Sequence, residues 1–251
     1  MEVLQHNLAA IDEIQKDVSE FLPSPAEGSI LHELESLTTC ETISLYRCMQ
    51  FSLHQAMGDL VSIRTLLIKE DIKYVPALES LLRTAMLGDA RPTWILIADK
   101  HDLRLSRARQ LLLTELRNAK MAADNSTKFR EMELAKAPVE FVDLITEDYR
   151  RMQGLANKIS ETTMLREFAN EMNALTEQEA GLVNPNLDDA TTWLWNTGSA
   201  ASHAYGWTQL VGASNADSSG HYVANFGIIV PYVQAAIGIF LNASAKQDGW
   251  K

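Results

Sequence analysis

With 251 residues, 46% of them hydrophobic, the chain is long enough to bury a full core and too apolar to be disordered. Its formal net charge of −11 excludes non-specific wrapping on nucleic acid, which depends on Lys and Arg neutralising phosphates. The start Met1-Glu-Val-Leu-Gln-His6 lacks the basic residues and apolar run of a secretion signal, so a cytoplasmic location is expected, with Cys40 and Cys48 a reduced pair.

In chain order, Val3, Leu4, Leu8, Ile11, Ile14, Val18 and Phe21 recur at steps of three and four, the apolar stripe of an amphipathic helix. Pro23-Ser-Pro-Ala-Glu-Gly28 stops it. That link lets residues 1–22 stand apart as a detached or assembling helix, ahead of a helical domain over 29–245 and a loose tail over 246–251. Helical spacing resumes from Ser29 to about Lys69, with a break expected near Thr38-Thr39. Pro76 suits the first turn of the next helix, and Gly88 and Pro92 predict either a kink or a new start at Arg91-Pro92.

Leu103 to Ala122 reads as a helix, and Asp124-Asn-Ser-Thr127 as a turn rich in N-cap residues that starts a further helix, broken or restarted at Pro138 and continuing through Tyr149. A further helix is predicted over Glu161 to Leu175. Thr176-Glu-Gln-Glu179 spells a capping box, but Gly181 and Pro185 follow so closely that Gly181 to Leu187 reads as a connection. Asp188 or Asp189 then opens a helix that runs to about Tyr205. Within it, Trp193-Leu-Trp-Asn-Thr-Gly-Ser-Ala-Ala-Ser-His-Ala-Tyr-Gly-Trp207 gathers three Trp, a Tyr and a His.

Asp217 is the only full charge from Ala190 to Ala245, which predicts that this region is buried. Gly212 to Gly220 is a polar loop by composition. The charge-free stretch Tyr222 to Ala243 has the length of a bilayer span, yet Asn225, Pro231 and Gln234 interrupt it, and it is expected to be a buried core helix. No strand alternation or internal repeat occurs, so the fold class is all-α, one domain of seven to nine helices.

The residues that bear on chemistry are few. No His has Glu three positions before it, as a di-iron bundle requires, and His32-Glu-Leu-Glu35 lacks a second His at zinc-protease spacing, so no metal is expected. Without a Walker or dinucleotide Gly-rich loop, no cofactor is expected either. Between Lys100 and Lys120, six basic residues stand against Asp102 and Glu115; Arg104 and Arg107 share a helix face and could grip a phosphate or carboxylate, or pair with acidic neighbours elsewhere. His203, among small residues, is either a general base or a hydrogen-bonded core residue or helix-packing pin.

Leu81-Leu-Arg83-Thr-Ala, Ala90-Arg91-Pro-Thr-Trp94-Ile-Leu, Arg104-Leu-Ser-Arg107-Ala-Arg and Leu194-Trp-Asn-Thr-Gly-Ser-Ala-Ala-Ser-His203-Ala-Tyr-Gly-Trp207 follow one another in an order that resembles a set of helical bacterial (actinobacterial) and phage proteins. Some of these are grouped with HEPN-like helical domains, which include ribonucleases of defence and toxin systems. That resemblance implies His203 as catalytic residue with an Arg shortly before it, where this chain has Thr197, Gly198 and Ser199. Gly88 stands where the resemblance implies an acidic residue, and Arg47 and His54 meet an Arg-x6-His spacing on one helix face.

Three readings follow. The first is a soluble helical binding or interaction protein that self-associates, without membrane or nucleic-acid partners. The second is a metal-independent HEPN-like ribonuclease in which His203 or His54 activates a ribose 2′-OH and Arg47 or Arg104 stabilises the charged transition state. The third is a small-molecule pocket lined by Trp94, Trp193, Trp195 and Tyr205, with Arg91 or Arg104 as the anionic anchor.

Overall fold

The computed structural model describes residues 2–38, 40–68, 75–128, 137–181, 187–203 and 218–246. Among these the protein is all-α, with nine helices and no strand: α1 (Glu2–Val18), α2 (Ile30–Leu37), α3 (Leu45–Ile68), α4 (Val75–Leu96), α5 (His101–Ser126), α6 (Val139–Gln153), α7 (Glu161–Ala180), α8 (Leu187–Ser202) and α9 (Ser218–Ser244).

The fold is built around α4. It packs against α3, α9, α8, α7 and α5, and its Leu78, Leu82, Ala85, Met86, Ala90 and Ile95 are fully buried. Burial on several sides explains why neither Gly88 nor Pro92 interrupts it. Pro92 removes a backbone donor, but the apolar turns before and after it are held by neighbouring helices, so the chain stays helical through Arg91-Pro92 instead of restarting there. Gly88 has a packing role. A Cβ there would lie 2.5 Å from the Ser52 carbonyl oxygen and 3.0 Å from the Ala56 Cβ, so its absence lets α3 and α4 touch. With Gly88 against Ser52 and Ala56, and Arg91 close enough to Cys48 to act on its thiol, the two helices run antiparallel.

Contrary to the expectation of a detached helix, α1 lies on α9 and α3, with Ile11 and Ile14 fully buried. Its exit is fastened at the aromatic cluster of Phe21, Tyr46 and Phe240: the Phe240 ring centroid is 4.9 Å from that of Phe21 and 5.2 Å from that of Tyr46. The Tyr46 hydroxyl donates to the Leu22 carbonyl at 2.9 Å, so the Pro-rich link is held against the body. Gly28 turns the chain at φ 81, and Ser29 caps α2 by accepting the His32 N–H.

Within α9, Asn225–Ser244 is long and apolar enough to cross a membrane by length and composition. Phe226, Val230, Val233, Ile237 and Phe240 form its fully buried stripe, while Pro231, Gln234, Gly238 and Asn242 form an exposed one. Nor is α8 wholly buried, as its lack of charge predicts. Thr191, Leu194, Thr197 and Ala200 face inward, whereas Trp193 is 40% exposed and Asn196, Ser202 and His203 are exposed. Ser, Thr and Asn can face water without charge, which is why a charge count overstated burial here. The expected polar loop at Gly212 to Gly220 falls largely outside the described residues, and α9 begins at Ser218.

Candidate functional site

A cleft of about 650 Å³ runs along the α3–α4 groove, with one residue of α5 among its lining. Its first wall is the turn into α3, Thr42, Ile43 and Ser44, followed by Arg47, Cys48, Phe51, Ser52 and Gln55. Its second wall is one face of α4, Arg83, Thr84, Leu87, Gly88 and Arg91, and Glu115 of α5 completes the lining. These positions recur at three- and four-residue steps on both helices, so each helix presents one face to the cleft.

The turn into α3 is fixed by the protein's own carboxylates. Asp148 Oδ2 on α6 accepts the Glu41 N–H at 2.9 Å, the Thr42 N–H at 2.8 Å and the Thr42 hydroxyl at 2.7 Å, while Arg151 pairs with Oδ1. Burial alone would raise the Asp148 pKa, but the Thr42 and Glu41 bonds and Arg151 outweigh it and hold the carboxyl below its ordinary value. At the start of α3, Ser44 Oγ accepts the Arg47 N–H at 3.1 Å, and the Glu35 carboxylate accepts the Tyr46 N–H at 2.8 Å. The helix end is therefore already capped, and the positive charge left in the cleft belongs to side chains.

Three arginines supply it, in different states. Arg91 is neutralised, reaching Glu115 at 3.5 Å and Glu161 at 3.1 Å. Arg83 lies with its guanidinium carbon 3.9 Å from the centroid of the Trp195 ring, and its Nε donates to Ser199 Oγ at 2.9 Å. Burial lowers the Arg83 pKa; Glu161 opposes this and Arg91 adds to it. Arg47 is exposed at the rim, one helical turn from Phe51, which is 70% exposed. Among the described residues neither Arg83 nor Arg47 has a carboxylate partner.

Gly198 makes the Arg83 arrangement possible. A Cβ on Gly198 would sit 2.5 Å from the Arg83 Cβ and 3.0 Å from the Glu79 carbonyl oxygen, so α8 comes close to α4 only because that position is glycine. Ser80 and Ser202 share a hydrogen bond at 2.8 Å on the same seam. With 80 against 202 and 83 against 199, the two helices run antiparallel.

Burial, followed by Glu115 and Glu35, pushes the Cys48 thiol up to about 12, leaving it protonated and a poor nucleophile. Burial likewise raises Cys40, and both cysteines are free. Among the described residues no histidine lines the cleft, and its one carboxylate, Glu115, is tied to Arg91. Among the described residues no three His, Cys, Asp or Glu side chains are grouped as a metal site.

The residues singled out from sequence distribute unevenly. Arg91 and Arg47 line the cleft, and Trp195 supports it from behind Arg83. His54 faces elsewhere: it is exposed, its Nδ1 lies 2.9 Å from the Gln50 carbonyl oxygen, and its ring meets Phe21 edge-on at 5.2 Å. Seven residues of helix put it about 10 Å along the axis from Arg47. His203 is exposed at the end of α8, one turn beyond Ser199, and is not the core residue considered above.

The Arg104–Arg107 pair does not form an anion grip. Arg104 Nε donates to the Ala98 carbonyl at 2.7 Å. Arg107 is 4% exposed and bonds the Trp94 carbonyl at 2.6 Å and Glu171 at 2.7 and 2.5 Å, with its guanidinium 4.7 Å from the Trp94 ring centroid. Trp94 is buried and donates from Nε1 to Glu167 at 2.8 Å, so it belongs to an α4–α5–α7 lock and not to a pocket. Trp193 points to solvent at 40% exposure, and Tyr205 lies outside the described residues.

Sequence reading missed Arg83 as a site residue; it stood inside a quoted motif, but only the α4–α8 contact through Gly198 gives it a role. Compared with protein-family models, with curated proteins and with solved structures, the chain matches none.

Proposed function

We propose that the protein is a helical binding protein whose α3–α4 cleft holds a small anionic ligand, a carboxylate or a phosphate, between Arg83 and Arg47. The observation that carries this reading is the pair of arginines without carboxylate partners lining one cleft, in a chain with eleven more acidic than basic residues by formal charge. In such a chain acidic partners are abundant, and Arg91, Arg107, Arg64 and Arg151 all have them. Two arginines left over in a concave site, one braced by Trp195 and Ser199, match what anion recognition needs: preset donors and little competition from internal carboxylates. The volume lies in the range of small-molecule pockets.

Trp195 provides the readout, because an anion drawn to Arg83 changes the field at the indole beneath it. Titration with citrate and with pyrophosphate is expected to give a saturable change in tryptophan fluorescence, absent from Trp195→Phe and weakened at least tenfold in Arg47→Glu. Arg47 is exposed, so this variant is expected to keep the wild-type melting temperature. A flat titration with both anions in the folded wild-type protein would remove the reading.

A further inference from the structure

We infer that the ligand is an elongated molecule with an acidic group at each end and an apolar middle; this rests on the anion-binding reading above and names the ligand class for that site. Gly88 packs on Ser52 and Ala56 while Arg91, one turn on, acts on Cys48, one turn back, so α3 and α4 run antiparallel and the two arginines fall at opposite ends of the cleft. Arg83 shares one end with Gln55 and Thr84, whereas Arg47 shares the other with Arg91 and Glu115. Arg83 and Arg91 are eight residues apart on α4, about 12 Å along its axis.

Each end has one unspent charge. At the far end Arg91 is held by Glu115 and Glu161, which leaves Arg47 as the cation without a carboxylate partner among the described residues. At the near end, Arg83 uses Nε on Ser199 and its face on Trp195, and its two terminal nitrogens have no partner among the described residues. Between the ends the lining turns apolar: Leu87 forms the wall and Phe51, 70% exposed, forms the rim. An exposed aromatic beside an apolar wall suits a hydrocarbon or ring segment. A single inorganic anion, only a few water molecules in size, would leave most of 650 Å³ empty.

Calorimetric titration of the full chain with succinate, adipate, suberate and sebacate tests this, alongside hexanoate and octanoate as one-ended controls and the bisphosphonate of hexane as the phosphate-like arm. Affinity is expected to peak at an intermediate diacid and to exceed that of the monoacid of equal length roughly tenfold, since the second end binds intramolecularly. Arg47→Gln should reduce the best diacid to monoacid strength and remove the dependence on chain length. Arg83→Lys, which keeps a charge over Trp195, guards against a folding defect in Arg83→Gln. Whether the diacid or the bisphosphonate binds tighter identifies the acidic group. Equal affinity for monoacids and diacids at every length would overturn the two-ended ligand and leave single-anion binding standing. No binding by any of these compounds would overturn both.

Discussion

Two buried aspartates show how the same side chain takes opposite roles. Asp148 is 2% exposed and fully engaged, accepting from Glu41, Thr42 and Arg151. Asp89 on α4 is completely buried, and among the described residues no side chain bonds either carboxyl oxygen; burial drives its pKa well above the ordinary value, against a smaller opposing pull from the Ala90 and Asp89 backbone N–H groups. Its charge also raises Tyr232, already raised by burial, to about 12. The linkage signs follow. Asp148, with a depressed folded pKa, stabilises above the unfolded value of about 3.9 and loses that contribution as pH falls through the folded pKa. Asp89, with a raised folded pKa, is best tolerated below that value and loses stability as pH rises toward its folded pKa. In urea melts near neutral pH, Asp148→Asn is expected to destabilise by about 2–3 kcal/mol, the gap closing as pH drops below about 4. Asp89→Asn is expected to stabilise by about 1–3 kcal/mol at neutral pH and to lose the advantage near pH 4. A destabilised Asp89→Asn at neutral pH would mean that the carboxylate has a partner the structure does not show. Nothing in the sequence separates these residues, since each sits in an ordinary helical pattern and its partners lie across the fold. For the same reason Arg107, the obvious candidate in a basic run, proved to be a buried strut, whereas Arg83 and Arg47 have no carboxylate partner among the described residues.

At the scale of elements, helix existence was legible and helix limits less so. Apolar spacing located α1, α3, α5, α6 and α8 within a few residues. It stopped α7 at Leu175, because Thr176-Glu-Gln-Glu looked like a fresh start. In the structure the Thr176 hydroxyl instead donates back to the Met172 and Asn173 carbonyls, and α7 continues to a left-handed Gly181 at φ 64. Close helix crossings were not legible, because glycine's absent side chain carries meaning only once the facing helix is known. Gly198 tests this. In Gly198→Ala the new methyl meets the Arg83 Cβ and the Glu79 carbonyl, so α8 must move off α4, at an expected cost of about 1–3 kcal/mol. The move also lifts Trp195 from Arg83. Gly198→Ala is therefore expected to alter tryptophan fluorescence without ligand and to weaken anion binding, a pair of effects that a merely local helix change would not produce.

For the whole molecule, the hub position of α4 predicts an uneven stability that bears on the cleft. Amides of α4 are shielded by five neighbouring helices, so they exchange only through global unfolding. α6 packs mainly on α5, and its Val139, Phe141 and Leu144 are 68%, 41% and 44% exposed, so it has less to lose by opening locally. Deuterium exchange read by mass spectrometry is expected to show peptides from 78–95 as the slowest in the protein and those from 139–153 among the fastest of the described helices. The cleft then has one rigid wall, α4, and one adjustable corner, the turn at 41–44, which depends on α6 through Asp148. Ligand bridging Arg83 and Arg47 adds its binding energy to the folded state and holds that corner. Saturating adipate is therefore expected to slow exchange at 41–48 and, through Asp148, in α6, while α4, already at the global limit, slows only as far as overall stability rises. Protection confined to α4, with 41–48 unchanged, would place the ligand away from Arg47.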